Sequence, residues 1–244
     1  VRLPANLGEF NNGLVAYYPF NGNANDESGN GYNGTVNGAT LTTDRSGAGS
    51  KAYSFDGTND YIDCGNGASL NFDSGDFSAS FWVNSSVTQN EKYILTKYNQ
   101  NKPGWGIGTD NSGGDPYSFI WSSNAALYRE IRSTKGFIDG NWHHVLVTYD
   151  RDGLMTVYQD GVVTDTNDIS TQTGTVSNAI NLMIGRDGLD LNKVFNGKID
   201  DIRIYNRALS AAEVSQLHTL ELPSAPVITT HPVDTNATIG ATVS

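Results

Sequence analysis

Apolar and polar residues alternate along most of the chain. In Phe77-Ser-Ala-Ser-Phe-Trp-Val83, Phe77, Ala79, Phe81 and Val83 share one face and Ser78, Ser80 and Trp82 the other, the period of a half-buried strand. Residues 144–161 read strand, turn, strand, turn: 145–149, Asp152-Gly153, 154–158, Asp160-Gly161, with the Asp-Gly pairs suited to the positive φ of tight hairpins. Further strands are predicted at 14–20, 52–55, 61–64, 93–97, 105–108, 117–121, 182–185 and 198–205. So many short strands imply an all-β, antiparallel two-sheet β-sandwich. One segment departs from the pattern: Ser210-Ala-Ala-Glu213 is a capping box, followed by Val214, Leu217 and Leu220 at helical spacing, which predicts one short C-terminal helix. The proline-bearing stretch 222–226 then breaks the helix. Residues 227–244 resume strand-like alternation but are too few to finish a domain. The organisation read from this is an N-terminal extension (1–10), a sandwich (11–221), and a linker with the opening of a following module (222–244).

Composition agrees. Among 244 residues, 27 Gly and 7 Pro argue against long helices. Fifteen basic against 26 acidic residues give a net charge of −11, with no Lys/Arg run to neutralise phosphates or anionic headgroups, so neither nucleic acid nor membrane is expected as a partner. No apolar stretch is long enough to span a bilayer, and residues 1–10 lack a targeting pattern, so the chain reads as a mature or excised piece. The acid excess makes a hard cation such as calcium a natural guest, although solubility explains it equally. The lone Cys64 cannot close an internal disulfide and reads as a small buried hydrophobe.

Two features bear on calcium. Residues 21–33 gather Asp26, Glu27, Ser28 and several Asn among Gly22, Gly29 and Gly31, a turn-rich loop able to present oxygens to an ion. In 199–205, alternation puts Asp200 on the face of Ile202 and Ile204, and Asp201 with Arg203 and Tyr205. Asp200 is therefore expected to point inward, where an unpaired carboxylate costs several kcal/mol unless a cation or several hydrogen bonds hold it. Were the first and last strands neighbours, Asp26 and Asp200 would converge, and calcium would relieve their repulsion. The alternative is an ordinary Asx-turn loop and an Asp200 that caps a backbone group. Residues 110–115 form a second oxygen-rich loop.

Sugar-binding clefts need flat aromatic faces and polar groups for hydroxyls. The middle of the chain offers Tyr98, Trp105, Tyr117, Trp121, Tyr128, Arg129 and Arg132. Trp105 lies between Gly104 and Gly106, and Trp121 precedes Ser122 and Ser123, small neighbours that could leave an indole open. Aromatics are also ordinary strand residues. The ligand candidates are Trp105, Trp121, Tyr98, Tyr128 and Arg129; the arginines could meet a uronate or sulfate, or equally Glu130.

Residues 14–36 and 195–210, together with 77–83 and Trp142-His-His-Val145, resemble the laminin-G-like jelly-roll modules of the concanavalin A-like lectin/glucanase superfamily, over roughly residues 11–221. The resemblance implies a jelly roll whose N- and C-terminal strands pair, with Trp82 and Trp142 as packing residues. It also implies one structural calcium held by Asp26 and Asp200, with oxygens from Asn23, Ser28 and Asn33. Such modules serve secreted, here bacterial, multi-domain proteins. The tail resembles the start of an immunoglobulin-like repeat. Catalysis is not expected: there is no Glu-x-Asp-x-x-Glu stretch, no Gln-x-His partner for Arg129-Glu-Ile-Arg132, and no Gly-x-Ser-x-Gly or His-Glu-x-x-His. The expectation is a monomeric, calcium-stabilised carbohydrate-binding accessory module that holds polysaccharide near neighbouring domains of its own polypeptide. The competing expectation is an adhesion or spacer module that binds protein or nothing.

Overall fold

The computed structural model describes residues 9–98, 103–111, 114–126, 128–190 and 192–223. After a 3-10 turn at Glu9–Asn11 come β1 (Leu14–Tyr18), β2 (Thr35–Asn37), β3 (Thr40–Thr42), β4 (Ala52–Asp56) and β5 (Tyr61–Asp63). A second 3-10 turn at Ala68–Leu70 leads to β6 (Phe77–Asn84), β7 (Tyr93–Tyr98), β8 (Gly104–Thr109), β9 (Pro116–Trp121) and β10 (Arg129–Arg132). The chain continues through β11 (Trp142–Tyr149), β12 (Leu154–Gln159), β13 (Val162–Asp168), β14 (Met183–Ile184) and β15 (Asn196–Tyr205) to the helix α1 (Ala211–Glu221).

The strands form two antiparallel sheets. The first runs β13-β12-β11-β6-β15-β4-β3, with β1 also on β15, and the second β10-β9-β8-β7-β14-β5-β2. The expected jelly-roll sandwich with one closing helix is present, and its first and last strands pair, Tyr18 opposite Ile202 and Leu14 opposite Tyr205. The core lies between the sheets. Phe77 stacks on Phe72 at 4.6 Å and on Tyr149 at 4.1 Å, with Trp105 5.3 Å away.

The period-two reading of β6 holds, since Phe77, Ala79, Phe81 and Val83 enter this core. The strand is nevertheless buried on both faces, because α1 lies across the outer side of the first sheet. There Phe10, Leu146, Tyr158, Tyr205, Leu209, Val214 and Leu217 form a second apolar cluster. The capping box sets the start of the helix: Glu213 N donates to Ser210 Oγ at 3.3 Å, and Ser210 N to Glu213 Oε2 at 2.8 Å.

Three details differ from the sequence reading. Asp160 and Gly161 have φ of +54° and +77°, as a tight hairpin requires, but the Asp152-Gly153 turn uses no positive φ and closes through Gly153 N to Asp150 O. Strands β2, β3, β10 and β13 were not predicted; β2 and β3 are three-residue edge strands, and β13 leaves Val162 and Val163 exposed. Finally, β15 carries a bulge between Asp200 and Arg203, with Asp201 at φ +44°. The extra residue breaks the alternation. Asp200 lies opposite Trp82, on the outer face beneath the helix, rather than with Ile202 in the core. The linker from residue 224, the immunoglobulin-like start and His231 lie outside the described residues.

Candidate functional site

The outer face of the second sheet carries the candidate site, and strand pairing builds it. On β8, alternate residues Trp105 and Ile107 enter the core, while Gly104, Gly106 and Gly108 pair with Trp121, Phe119 and Tyr117 of β9 and present no side chain outward. Neighbouring rings close over this floor. Phe119 meets Tyr98 edge-on at 4.7 Å, Tyr93 at 6.0 Å and Tyr117 at 5.8 Å. A Cβ on Gly106 would lie 2.6 Å from the Phe119 ring, so the approach needs glycine. Above the rings is a cleft of about 270 Å3, lined by Tyr93, Tyr98, Tyr117, Phe119, Trp121 and Tyr128 with Glu91, Asp110, Arg132, Asp187, Asp190 and Lys193.

The loop following β14 supplies one wall. Asp187 Oδ1 accepts the N–H of Leu189 at 2.7 Å and of Asp190 at 3.0 Å, and Asp190 Oδ1 accepts Asn192 N at 3.0 Å. Burial first, then the Asp187 charge, raises the phenols of Tyr93 and Tyr98, which stay neutral donors. On the opposite wall, Asp110 closes its hairpin by accepting Asp115 N at 3.2 Å. Trp121 is steered by Nε1 donation to Ala125 O at 3.3 Å and lies 5.7 Å from Tyr128, whose side is 41% exposed.

Of the ligand candidates named from sequence, Tyr98, Trp121 and Tyr128 line the cleft. Trp105 does not: it is 1% exposed and packs in the core against Phe77, Phe72 and Tyr149. Arg129 sits opposite Ile120, on the other parity of β10 from the cleft, where its charge lowers the Asp168 carboxyl after two hydrogen bonds from Ser170. Arg132, opposite Tyr117, is the arginine that reaches the site. Tyr93, Phe119, Glu91 and Lys193 were not singled out, and Asp187 and Asp190 are expected from sequence only as a carboxylate pair whose spacing of three fails the parity that glucanase acids need, not as ligand residues. The parity of Tyr117, Phe119 and Trp121 could have found Phe119, but nothing in the sequence brings residues 187–193 across β7.

The residues expected to share calcium have partners of their own. Asp26 Oδ1 accepts Tyr17 N at 3.0 Å and Ser28 N at 2.9 Å, and Oδ2 accepts Tyr32 N at 3.0 Å. Asn33 Oδ1 accepts Asp26 N, Asn23 Oδ1 accepts Asn25 N, and Ser28 Oγ donates to Val15 O. Asp200 pairs with Arg45 at 2.8 Å, and the same guanidinium reaches Asp201 at 2.7 Å. The five do not fit one ion well: Asp26 organises its loop through backbone N–H groups, and the cation at Asp200 is an arginine. Among the described residues no group of three or more His, Cys, Asp or Glu is placed to hold a metal.

Arg45 belongs to a buried polar cluster under α1. It stacks on Trp82 at 4.6 Å, Trp82 Nε1 donates to Glu221 Oε2 at 2.8 Å, and Arg203 pairs with Glu221 at 2.7 Å. Three carboxylates thus face two guanidiniums. Burial, then the Asp201 charge, pushes the Asp200 carboxyl above its ordinary range, with Arg45 opposing. His144, fully buried, stacks on His218 at 5.7 Å and lies tilted against Trp82 at 5.3 Å, and burial pushes its imidazole down to about 3. Cys64 is 3% exposed and its thiol is pushed up to about 12, as a buried hydrophobe rather than a nucleophile.

Known proteins fit this picture. The family profile described as the concanavalin A-like lectin/glucanases superfamily matches residues 56–215. The non-toxic nonhemagglutinin of Paraclostridium bifermentans is 27% identical over 172 residues, 68% of this chain and 14% of that protein. A botulinum-like toxin of an Enterococcus species is 26% identical over 155 residues, 59% of this chain and 12% of that protein. The chain therefore spans a small fraction of either relative's length. Among solved structures, the binding domain of Paraclostridial mosquitocidal protein 1 superposes with TM-score 0.71 at 22% identity, covering 84% of this chain and 52% of that one. Domain 4 of an extracellular arabinanase from Geobacillus stearothermophilus, solved in complex with arabinotriose, superposes with TM-score 0.61 at 22% identity, covering 84% of this chain and 98% of that one. At such identities the structural likeness speaks for the fold.

Proposed function

The chain belongs to the concanavalin A-like lectin/glucanases superfamily, and from that premise we propose that it is a non-catalytic module that binds polysaccharide in the cleft over β7 to β10 and holds it near other domains of a secreted protein. One observation carries the reading: a bank of aromatic rings, laid on a glycine floor, beside carboxylates able to accept hydroxyl protons. The rings take the apolar face of a sugar, and Asp187 and Asp190 its hydroxyls. At about 270 Å3 the cleft suits a short stretch of chain. The fold likeness to a module solved with arabinotriose puts arabinan among the probes. The non-catalytic reading draws on the fold likeness to a structure whose name describes a binding domain, that of Paraclostridial mosquitocidal protein 1. It is also supported by the carboxylates of Asp187 and Asp190, which are engaged in shaping their own loop.

The test is affinity electrophoresis through gels containing arabinan, xylan, agarose, alginate or ulvan. At least one should retard the protein, and Trp121→Ala should abolish the retardation without lowering the melting temperature. If no polysaccharide retards it, the reading fails in favour of an adhesion or spacer module.

A further inference from the structure

Resting on the saccharide reading of the cleft, we propose that the cleft selects uncharged saccharide chains and rejects uronates and sulfated sugars. Its lining holds four carboxylates, Glu91, Asp110, Asp187 and Asp190, against two cations, Arg132 and Lys193.

Both cations are already engaged. Lys193 Nζ lies 2.9 Å from Glu91 Oε2. Arg132 Nε and Nη2 donate to the two oxygens of Glu130 at 3.0 and 3.1 Å, Nη1 donates to Asn111 Oδ1 at 2.9 Å, and the guanidinium lies 5.0 Å over Tyr117. The planar fork that would otherwise grip a carboxylate or sulfate is filled by the protein's own acid. A ligand anion would have to displace Glu130 and then meet the unbalanced acids across the cleft.

The acids are placed to accept. Asp187 and Asp190 each commit Oδ1 to turn N–H groups, and neither Oδ2 has a hydrogen-bond partner among the described residues. A neutral sugar brings hydroxyl donors to these oxygens, and charge-assisted O–H···O⁻ bonds are the stronger kind. An anionic sugar brings acceptors and repulsion, to which the chain's net charge of −11 adds at low salt.

The experiment compares matched probes on the whole chain: hydroxyethylcellulose against carboxymethylcellulose, and arabinan, xylan and agarose against alginate and ulvan. Each is run with wild type, Trp121→Ala and Asp190→Asn. At least one neutral probe should bind, and the anionic probes should bind about tenfold more weakly or not at all, a gap worth ~1.4 kcal/mol. The gap should narrow at ~0.5 M salt, where surface charges are screened, and in Asp190→Asn. If an anionic polysaccharide is retarded as strongly as any neutral one, and Trp121→Ala abolishes that retardation, the charge selection is overturned while cleft binding stands. If nothing in either set binds, cleft binding and selection fall together.

Discussion

Arg45 is the sharpest place to perturb the closed end of the sandwich. Its guanidinium holds Asp200 at 2.8 Å and Asp201 at 2.7 Å, donates from Nε to Glu221 O at 2.6 Å, and covers Trp82. Arg45→Met keeps much of the volume but leaves Asp200, Asp201 and Glu221 facing Arg203 alone. Stripping one partner from a buried ion pair costs about 3–5 kcal/mol, because the remaining charge is uncompensated. For a chain of this size that is a fall in melting temperature of about 6–20 °C. The loss should be larger at pH 8 than at pH 5: burial raises both aspartates, so acid lets them take up the protons that replace the missing cation. Adding Asp200→Asn should recover part of the loss at pH 8, which keeps the result readable if the single variant folds poorly. The assay is thermal unfolding of each protein, with calcium and with chelator. A cost below ~1 kcal/mol for Arg45→Met would refute the reasoning. So would a calcium-dependent rise in the wild-type melting temperature that Asp26→Ala removes, because the cation at this junction would then be calcium.

Other perturbations separate cleft from core. Trp105→Ala should destabilise by about 3–5 kcal/mol, read in denaturant melts, whereas Trp121→Ala should leave the melt nearly unchanged and remove polysaccharide retardation. Gly106→Ala would bring its Cβ within 2.6 Å of Phe119 Cε1 and 3.1 Å of Thr96 Cγ2, so the Phe119 ring must tilt. It should weaken binding in affinity gels more than it lowers the melting temperature. His144 links stability to acid. Its imidazole is held near 3 against an ordinary 6.5, so above pH ~6.5 neither state protonates it, and below that only the unfolded chain does. Stability should fall by up to about 1.4 kcal/mol per pH unit as acid is added, and His144→Phe should flatten the urea-melt profile between pH ~6 and ~4. His143, raised by its hydrogen bond to Asp160, works in the opposite direction but is present in both proteins and cancels.

Where one residue and its parity decide the structure, the sequence was informative. The alternation of β6, the Asp160-Gly161 turn and the Ser210–Glu213 capping box are local rules with local consequences, and all three are met. Trp105 and Trp121 show the limit. Both have small neighbours, and what separates them is the β8–β9 register, which places Trp105 opposite the buried Ile120 and Trp121 opposite Gly104. The glycines at 104, 106 and 108 held part of the answer, since a strand with every second residue glycine leaves its other face, Trp105 and Ile107, to pack. Asp200 failed for a different reason. A bulge with a non-glycine residue at positive φ has no signature in the alternation, and one extra residue reverses the face. The ionic partner was hidden by distance along the chain: Arg45 lies 155 residues from Asp200.

The two outer faces of the sandwich resolve the same problem in opposite ways. A sheet that packs on one side leaves aromatic and polar residues of the other parity exposed, and these must be covered or used. On the first sheet they are covered. Trp82, His144, Arg203 and Tyr205 lie under α1, and Trp82 Nε1 and Arg203 both bond to Glu221 on that helix, so the helix and the β1–β15 pairing close the fold together. On the second sheet no described helix crosses β7 to β10, and the rings there rest on glycine rather than beneath a lid. Arg132 and Lys193 are neutralised from the side, by Glu130 and Glu91, while Asp187 and Asp190 keep an oxygen each for an incoming donor. Acids are thus paired directly with arginines where the chain is stapled, and left without a cation at Asp187 and Asp190 where it is open. On the saccharide reading proposed above, the open face would receive hydroxyl groups, and the acids accepting them would exclude the anionic polysaccharides that a basic cleft on the same sheet would attract.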